Sequence, residues 1–210
     1  MKLYDCQIAP NPRRVRIFLA EKGVEIERVE LNIAEGDNLK PDFLAINPRG
    51  LLPTLVLDDG TALDEVVAIS RYIEETHPEP PLMGTSTRER AFIESRNRHM
   101  EIDGFMSVAE IFRNTHPSFR ERGLPGVSAV PAIPQLVERG RAGIARFFER
   151  LNSYYLGQHP FVAGDQFSIA DITALSVVDF AKWVEEKVPS NHVNTLRWYE
   201  AVSQRPSAAA

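Results

Sequence analysis

The chain has 210 residues, 43% of them apolar, enough for one large domain or two small ones with a proper core. A formal charge of −5 excludes nucleic acid as a bulk electrostatic partner, and the single cysteine, Cys6, excludes an internal disulfide framework and a paired-cysteine redox site. The opening "MKLYDCQIAP" has no signal-peptide run, and no segment reaches the roughly 20 apolar residues of a membrane span. A cytoplasmic protein is expected.

Over residues 1–80 short strand patterns alternate with helical ones. "KLYDC" reads as a strand. "PRRVRIFLAEKG" reads as a helix that packs Val15, Phe18 and Leu19 and stops at Gly23. Asn11 is expected to be its N-cap, with Pro12 in the first turn. "IERVEL" is a second strand, "KPDFLAINPRG" a short helix broken before Pro48, and "LPTLVLDDGTAL" a hairpin turning at Asp59-Gly60. "DEVVAISRYIEE" closes the unit as a helix, packing Val67, Ile69, Tyr72 and Ile73, with Asp64 as its cap. The order βαβ, helix, ββα implies a small α/β domain with a mixed sheet.

A proline-rich linker, "THPEPPLMG", follows, and residues 86–210 carry only helical patterns. One long helix covers "TRERAFIESRNRHMEIDGFMSVAEIF", a loop crosses at "NTHPSFRERGLPGVSAVPAIP", and a second long helix takes "QLVERGRAGIARFFERLNSYYLG". "FSIADITALSVVDFAKWVEE" is apolar and central, and "VPSNHVNTLRWYEAVSQRP" closes the domain. A cleft between the two domains is the expected ligand site.

Three short motifs mark that cleft or its supports. In "GLLPTL" a cis Leu52–Pro53 bond would turn the Leu52 N–H and C=O toward a peptide-like ligand; an ordinary trans proline at a strand end is the other reading. In "ALDEVVAI" the N–H groups near Glu65 and Val66 face a ligand carboxylate and Glu65 an ammonium, or else the acidic residues simply suit a helix start. "FSIADI" is structural: Ser168 and Asp171 form a capping box, with Phe167 and Ile172 as its hydrophobic staple. Two helix N-termini pointing at one cleft would draw an anionic thiol peptide.

Four stretches, "LYDCQIAPNPRRVRIFLAEKG", "NPRGLLPTL", "LDEVVAISRYIEE" and "GDQFSIADI", in this order and spacing, resemble the glutathione S-transferase family over nearly the whole chain. "PNPRRVRIFLAEKG" is most similar to its bacterial theta-like and fungal-like subgroup. The resemblance implies a thioredoxin-like α/β domain (1–80) that binds glutathione, then an all-α domain (86–210) that forms the electrophile pocket. It implies a homodimer, glutathione as cosubstrate, a small hydrophobic electrophile as second substrate, and no metal, nucleic acid or membrane partner. It places Leu52 and Pro53 on the cysteinyl part of glutathione, Glu65 and Val66 at the γ-glutamyl end, and Arg49 or Lys40 near the glycyl carboxylate.

Two positions depart from the family pattern. Val66 stands where a serine hydroxyl commonly meets the γ-glutamyl carboxylate, and a hydrogen bond to a charged group is worth about 1.5–3 kcal/mol. Ala9 stands where related subgroups carry the activating serine. The substitutes for the missing donor are Asn11, first-turn N–H groups, or a water held by Ser107 or His116. Phe105, Met106, Ile111 and Phe112 are the expected apolar walls, and Cys6 reads as a small buried hydrophobe or a functional thiol. The implied activity is activation of the glutathione thiol for attack on an electrophile. The rival readings are a non-catalytic glutathione-binding, stress-related module and a glutathione-dependent peroxidase or isomerase.

Overall fold

The computed structural model describes residues 1–210. The first seven elements are β1 (Lys2–Asp5), α1 (Pro10–Lys22), β2 (Glu27–Glu30), α2 (Pro41–Leu44), β3 (Thr54–Val56), β4 (Ala62–Asp64) and α3 (Val66–Thr76). The sheet order is β2-β1-β3-β4, with β1 parallel to β2 and antiparallel to β3, and β3 antiparallel to β4. Strand alternation divides the two faces. Leu3 and its partner Leu55 are fully buried in the core that also takes Ile17, Phe18, Ile69 and Ile73 of α1 and α3. Tyr4, on the other face, meets Phe43 of α2 with ring centroids 5.5 Å apart.

α1 begins two residues earlier than its sequence pattern suggests. Pro10 takes the first helical position, where a missing N–H costs nothing, so Ala9 becomes the cap residue and Asn11 lies inside the first turn. The expected Asn11 cap is therefore corrected. Gly23 ends the helix at φ +64°, the left-handed conformation a glycine adopts without strain. Asp64 is not the cap of α3 either: it pairs with Thr54 as the last residue of β4, and Glu65 precedes the helix with no side-chain cap bond.

The helical part comprises α4 (Thr87–His99), α5 (Met106–Thr115), α6 (Gln135–Arg150), α7 (Ile169–Ala181) and α8 (Val193–Ser203). The long helix expected from Thr87 is one rod with a π turn at Met100–Phe105, and α6 runs into a second π turn at Leu151–Tyr155. α7 is buried almost all round, which explains its unbroken apolar character. Its start carries the expected box: the Ser168 side chain accepts from the Ala170 N–H, while Asp171 accepts from the Ser168 N–H. Asp171 also accepts from the Val162 N–H and the Trp198 indole at 2.9 and 2.8 Å, so one carboxylate ties α7 to α8 and to the chain before it.

The linker between the sheet and the helices is braced. Buried Lys22 donates to the carbonyls of Pro78 and Pro80 and pairs with Glu74 at 2.5 Å. Glu74 in turn accepts the N–H groups of Leu82 and Met83, and the Leu82 carbonyl accepts from Ile169 of α7.

Candidate functional site

A cavity of about 430 Å³ opens between the sheet domain and the helices. One end is built by Ala9–Pro12 at the start of α1 and by Gly50–Leu52, the other by Phe105, Phe112, Phe119, Phe180 and Trp183 of the helical part. The sequence places a helix start and a peptide-like edge at one end because a short loop after β1 and a longer loop before β3 leave the same side of the sheet.

The 47–54 loop is held by polar side chains that the sequence reading passed over. Asn47 Nδ2 donates to the Leu51 carbonyl and to Thr54 Oγ1, Thr54 Oγ1 donates to the same carbonyl, and Asn38 Nδ2 donates to the Gly50 carbonyl at 2.6 Å. Gly50 sits at φ +63°, and a Cβ there would lie 3.0 Å from the Asn38 carbonyl oxygen and 3.2 Å from Val127. The Leu52–Pro53 bond is cis. No backbone hydrogen bond inside the protein uses the N–H or C=O of Leu52. Leu52 lines the cavity while Pro53 is buried behind it.

Asn11 also lines the cavity, and its orientation comes from a residue the sequence reading missed. Arg14, one turn later on α1, donates to Asn11 Oδ1 at 3.2 Å. Its other donors reach Glu101 Oε1 at 2.5 Å and Thr173 Oγ1 at 3.0 Å in the helical part. Burial draws the Arg14 guanidinium pKa down, opposed by the Glu101 carboxylate beside it. With its oxygen occupied by a cation, the Asn11 side chain is left with its NH2 group, a donor, for the cavity. The i, i+3 spacing of Asn11 and Arg14 was the available signal.

The remaining expected residues scatter. His116 lines the cavity; its Nδ1 accepts from the Ser118 N–H, and its ring lies 5.0 Å from that of Phe112. Ser107 does not reach the cleft: its hydroxyl donates to the Asp103 carbonyl and it faces a separate hollow between α5 and α6, against Gly143. The reason is helical phase, since the rod turns Phe105 at the end of its π turn and Ala109 and Phe112 of α5 to the cleft and carries Ser107 to the far side. Of the expected walls, Phe105 and Phe112 line the cavity, Met106 is exposed on the outer hollow, and Ile111 is core.

Glu65 stands at φ +69°, strained for a side-chain-bearing residue, and its carboxylate pairs with Arg49 at 2.7 Å. Arg49 also reaches Asp64 at 3.1 Å. Lys40 points to solvent and pairs with Asp37, and Val66 is buried at the base of α3. None of the five residues Glu65, Arg49, Asp64, Lys40 and Val66 touches the cavity wall. Cys6 is buried at its floor, its N–H given to Asp5 at 2.7 Å.

Two family comparisons cover most of the molecule. Residues 8–76 match the glutathione S-transferase N-terminal domain, and residues 115–206 match the glutathione S-transferase C-terminal domain. Glutathione S-transferase 2 of Saccharomyces cerevisiae is 34% identical over 99% of this chain and 87% of its own length. A solved glutathione S-transferase domain-containing protein of Marinobacter aquaeolei superposes with a TM-score of 0.90 at 33% identity, covering 99% of both chains. The crystal structure of Gtt2 from Saccharomyces cerevisiae does so with 0.89 at 34%, over 99% of this chain and 98% of that one. The chain belongs to the glutathione S-transferase family.

Proposed function

We propose that the protein is a glutathione transferase whose thiol-activating donor is the Asn11 side-chain amide. The single observation that carries this is the Asn11–Arg14 contact beside Ala9, which leaves an amide donor at the start of α1 where no hydroxyl exists. Glutathione as cosubstrate fits the unpaired backbone of Leu52, which offers an N–H and a C=O to the cysteinyl unit. Glu65, with Arg49 beside it, offers a carboxylate to the γ-glutamyl ammonium and a guanidinium to a glutathione carboxylate. A free thiol has a pKa near about 8.5, so only a few per cent is ionised at neutral pH. An amide donor and the first-turn N–H groups of α1 stabilise the thiolate and lower that value. The thiolate then attacks an electrophilic carbon held against the aromatic wall. Membership of the theta-like and fungal-like subgroup, a homodimeric state and a cytoplasmic setting complete this reading; the likeness to Gtt2 supports the first of them.

The test is calorimetric titration with glutathione, joined to thiolate absorbance of the bound peptide from about pH 5 to about pH 9. A thiol pKa clearly below that of free glutathione, raised again by Asn11→Ala, is the expected result. An unchanged pKa in Asn11→Ala would leave Asn11 no part in activation. Binding with the thiol pKa left at its free value would favour the non-catalytic glutathione-binding reading, for which Ala9 and Val66 are the specific observations, and no binding at millimolar glutathione would overturn both.

A further inference from the structure

The cavity carries a charge pattern that a plain apolar pocket would not. Of the 24 residues around the cavity none is acidic, although the chain as a whole carries −5. Two of them are arginines, Arg113 and Arg122, and neither forms an ion pair with a carboxylate. Arg113 is half-buried and spends its Nε and Nη2 donors on the carbonyls of Arg122, Gly123 and Leu124. Those bonds fix its place but leave its positive charge uncancelled. Burial and the neighbouring Arg122 charge push its pKa down to about 10, so it stays cationic at neutral pH.

Arg113 stands among rings, with Arg122 on the same cavity wall. Arg113 lies over Phe119, its guanidinium carbon 4.4 Å from the ring centroid, and Phe112 meets Phe119 and Trp183 at 5.4 and 5.7 Å. All these groups belong to the helical part, whereas Asn11 and Leu52 belong to the sheet domain; beyond Arg122 the chain crosses to the sheet side, where Val127 packs near Gly50. A glutathione ammonium placed at Glu65 and a carboxylate placed at Arg49 do not use them. We infer that the second substrate is a flat, aromatic or conjugated electrophile bearing a carboxylate or similar anionic group, which the Arg113–Arg122 pair receives while the rings stack on its body. This deepens the transferase reading and rests on it for the word substrate; the preference for an anion rests on the helical residues alone.

The test reads that preference without glutathione. Trp183 is half exposed in the cavity wall, whereas Trp198 is buried, so quenching of tryptophan fluorescence follows occupancy of this end. The probes are 3,5-dinitrobenzoate and its methyl ester, alike in shape and differing in charge. The wild-type protein should bind the acid about fivefold more tightly than the ester, the size of one partly screened ion pair, and added salt should weaken the acid alone. Arg122→Gln, which leaves the Arg113 clamp in place, should close most of the gap while the ester binds as before. Equal binding of acid and ester by the wild type would overturn the inference. So would a gap that survives in both Arg122→Gln and Arg113→Gln, the latter checked for an intact thermal transition. Glutathione calorimetry on the same samples separates the two ideas: a charge preference without glutathione binding upholds the anion pocket and removes the transferase, and the reverse removes only the pocket.

Discussion

Glu65 shows how a single residue can be set against its own backbone. An L-residue at φ +69° costs on the order of 1–3 kcal/mol unless its side chain has reason to be there. Its ion pair with Arg49 is largely exposed and contributes little to stability. Glu65→Gly should therefore hold or raise the unfolding free energy, by up to about 1 kcal/mol, while weakening glutathione in calorimetry. A loss of stability with affinity unchanged would show that the carboxylate serves the fold and not the ligand. This residue was visible in "LDEVVAI" as an acidic group at a helix start, but its strain was not, because backbone angles follow from β4 ending one residue earlier. Arg14 was harder to see. A buried arginine inside "PRRVRI" looks like any solvated charge until Glu101, 87 residues on, comes to meet it. Asn11 was recognised as important and misassigned as a cap, since Pro10 already fills the first helical position.

Among the elements, α7 was the most legible and α5 the least. The Ser168–Asp171 box is local, so four consecutive residues declare it. α5 is amphipathic in a way that names two faces without saying which one meets the cleft, and Ser107 fell on the wrong one. The box carries a pH signature. Burial lifts the Asp171 pKa to about 6, although four hydrogen bonds favour the ionised form. The folded state thus keeps this proton to higher pH than the unfolded chain, whose aspartate titrates near about 3.9. Its contribution to stability is full below about pH 4 and lost as the pH rises through about 6, a change of about 3 kcal/mol. Denaturant melts should show the stability of the wild type relative to Asp171→Asn declining over that interval. A gap that stays constant would mean that Asp171 titrates normally inside the box, and one that widens that its pKa is lowered there.

For the molecule as a whole, the α/β and helical halves were foreseeable from strand patterns that stop near residue 64, whereas the braced attachment between them was not. The proline-rich linker looks mobile on composition, yet Lys22 and Glu74 hold both its ends. Glu74→Ala would strand a buried ammonium and free two N–H groups at once, at a cost of about 3–5 kcal/mol. It should lower the denaturation midpoint in a single transition if the halves unfold together; a negligible shift would mean that the linker is not structural. A second set of ties runs through α1: Arg13 pairs with Asp179 and donates to the Ala208 carbonyl, and Arg205 forks onto Glu21 with two bonds of 2.7 Å.

Those last ties bear on how the protein is made. During synthesis the sheet half leaves the ribosome first, with Asn11 already in its helix but with no Glu101 to fix Arg14 and no Asp179 or Arg205 to seat α1. The nascent chain can assemble its strands early. The Asn11–Arg14 corner of the cavity reaches its final shape only after residues near 205 have emerged and docked, so that corner stays unfinished through almost all of translation.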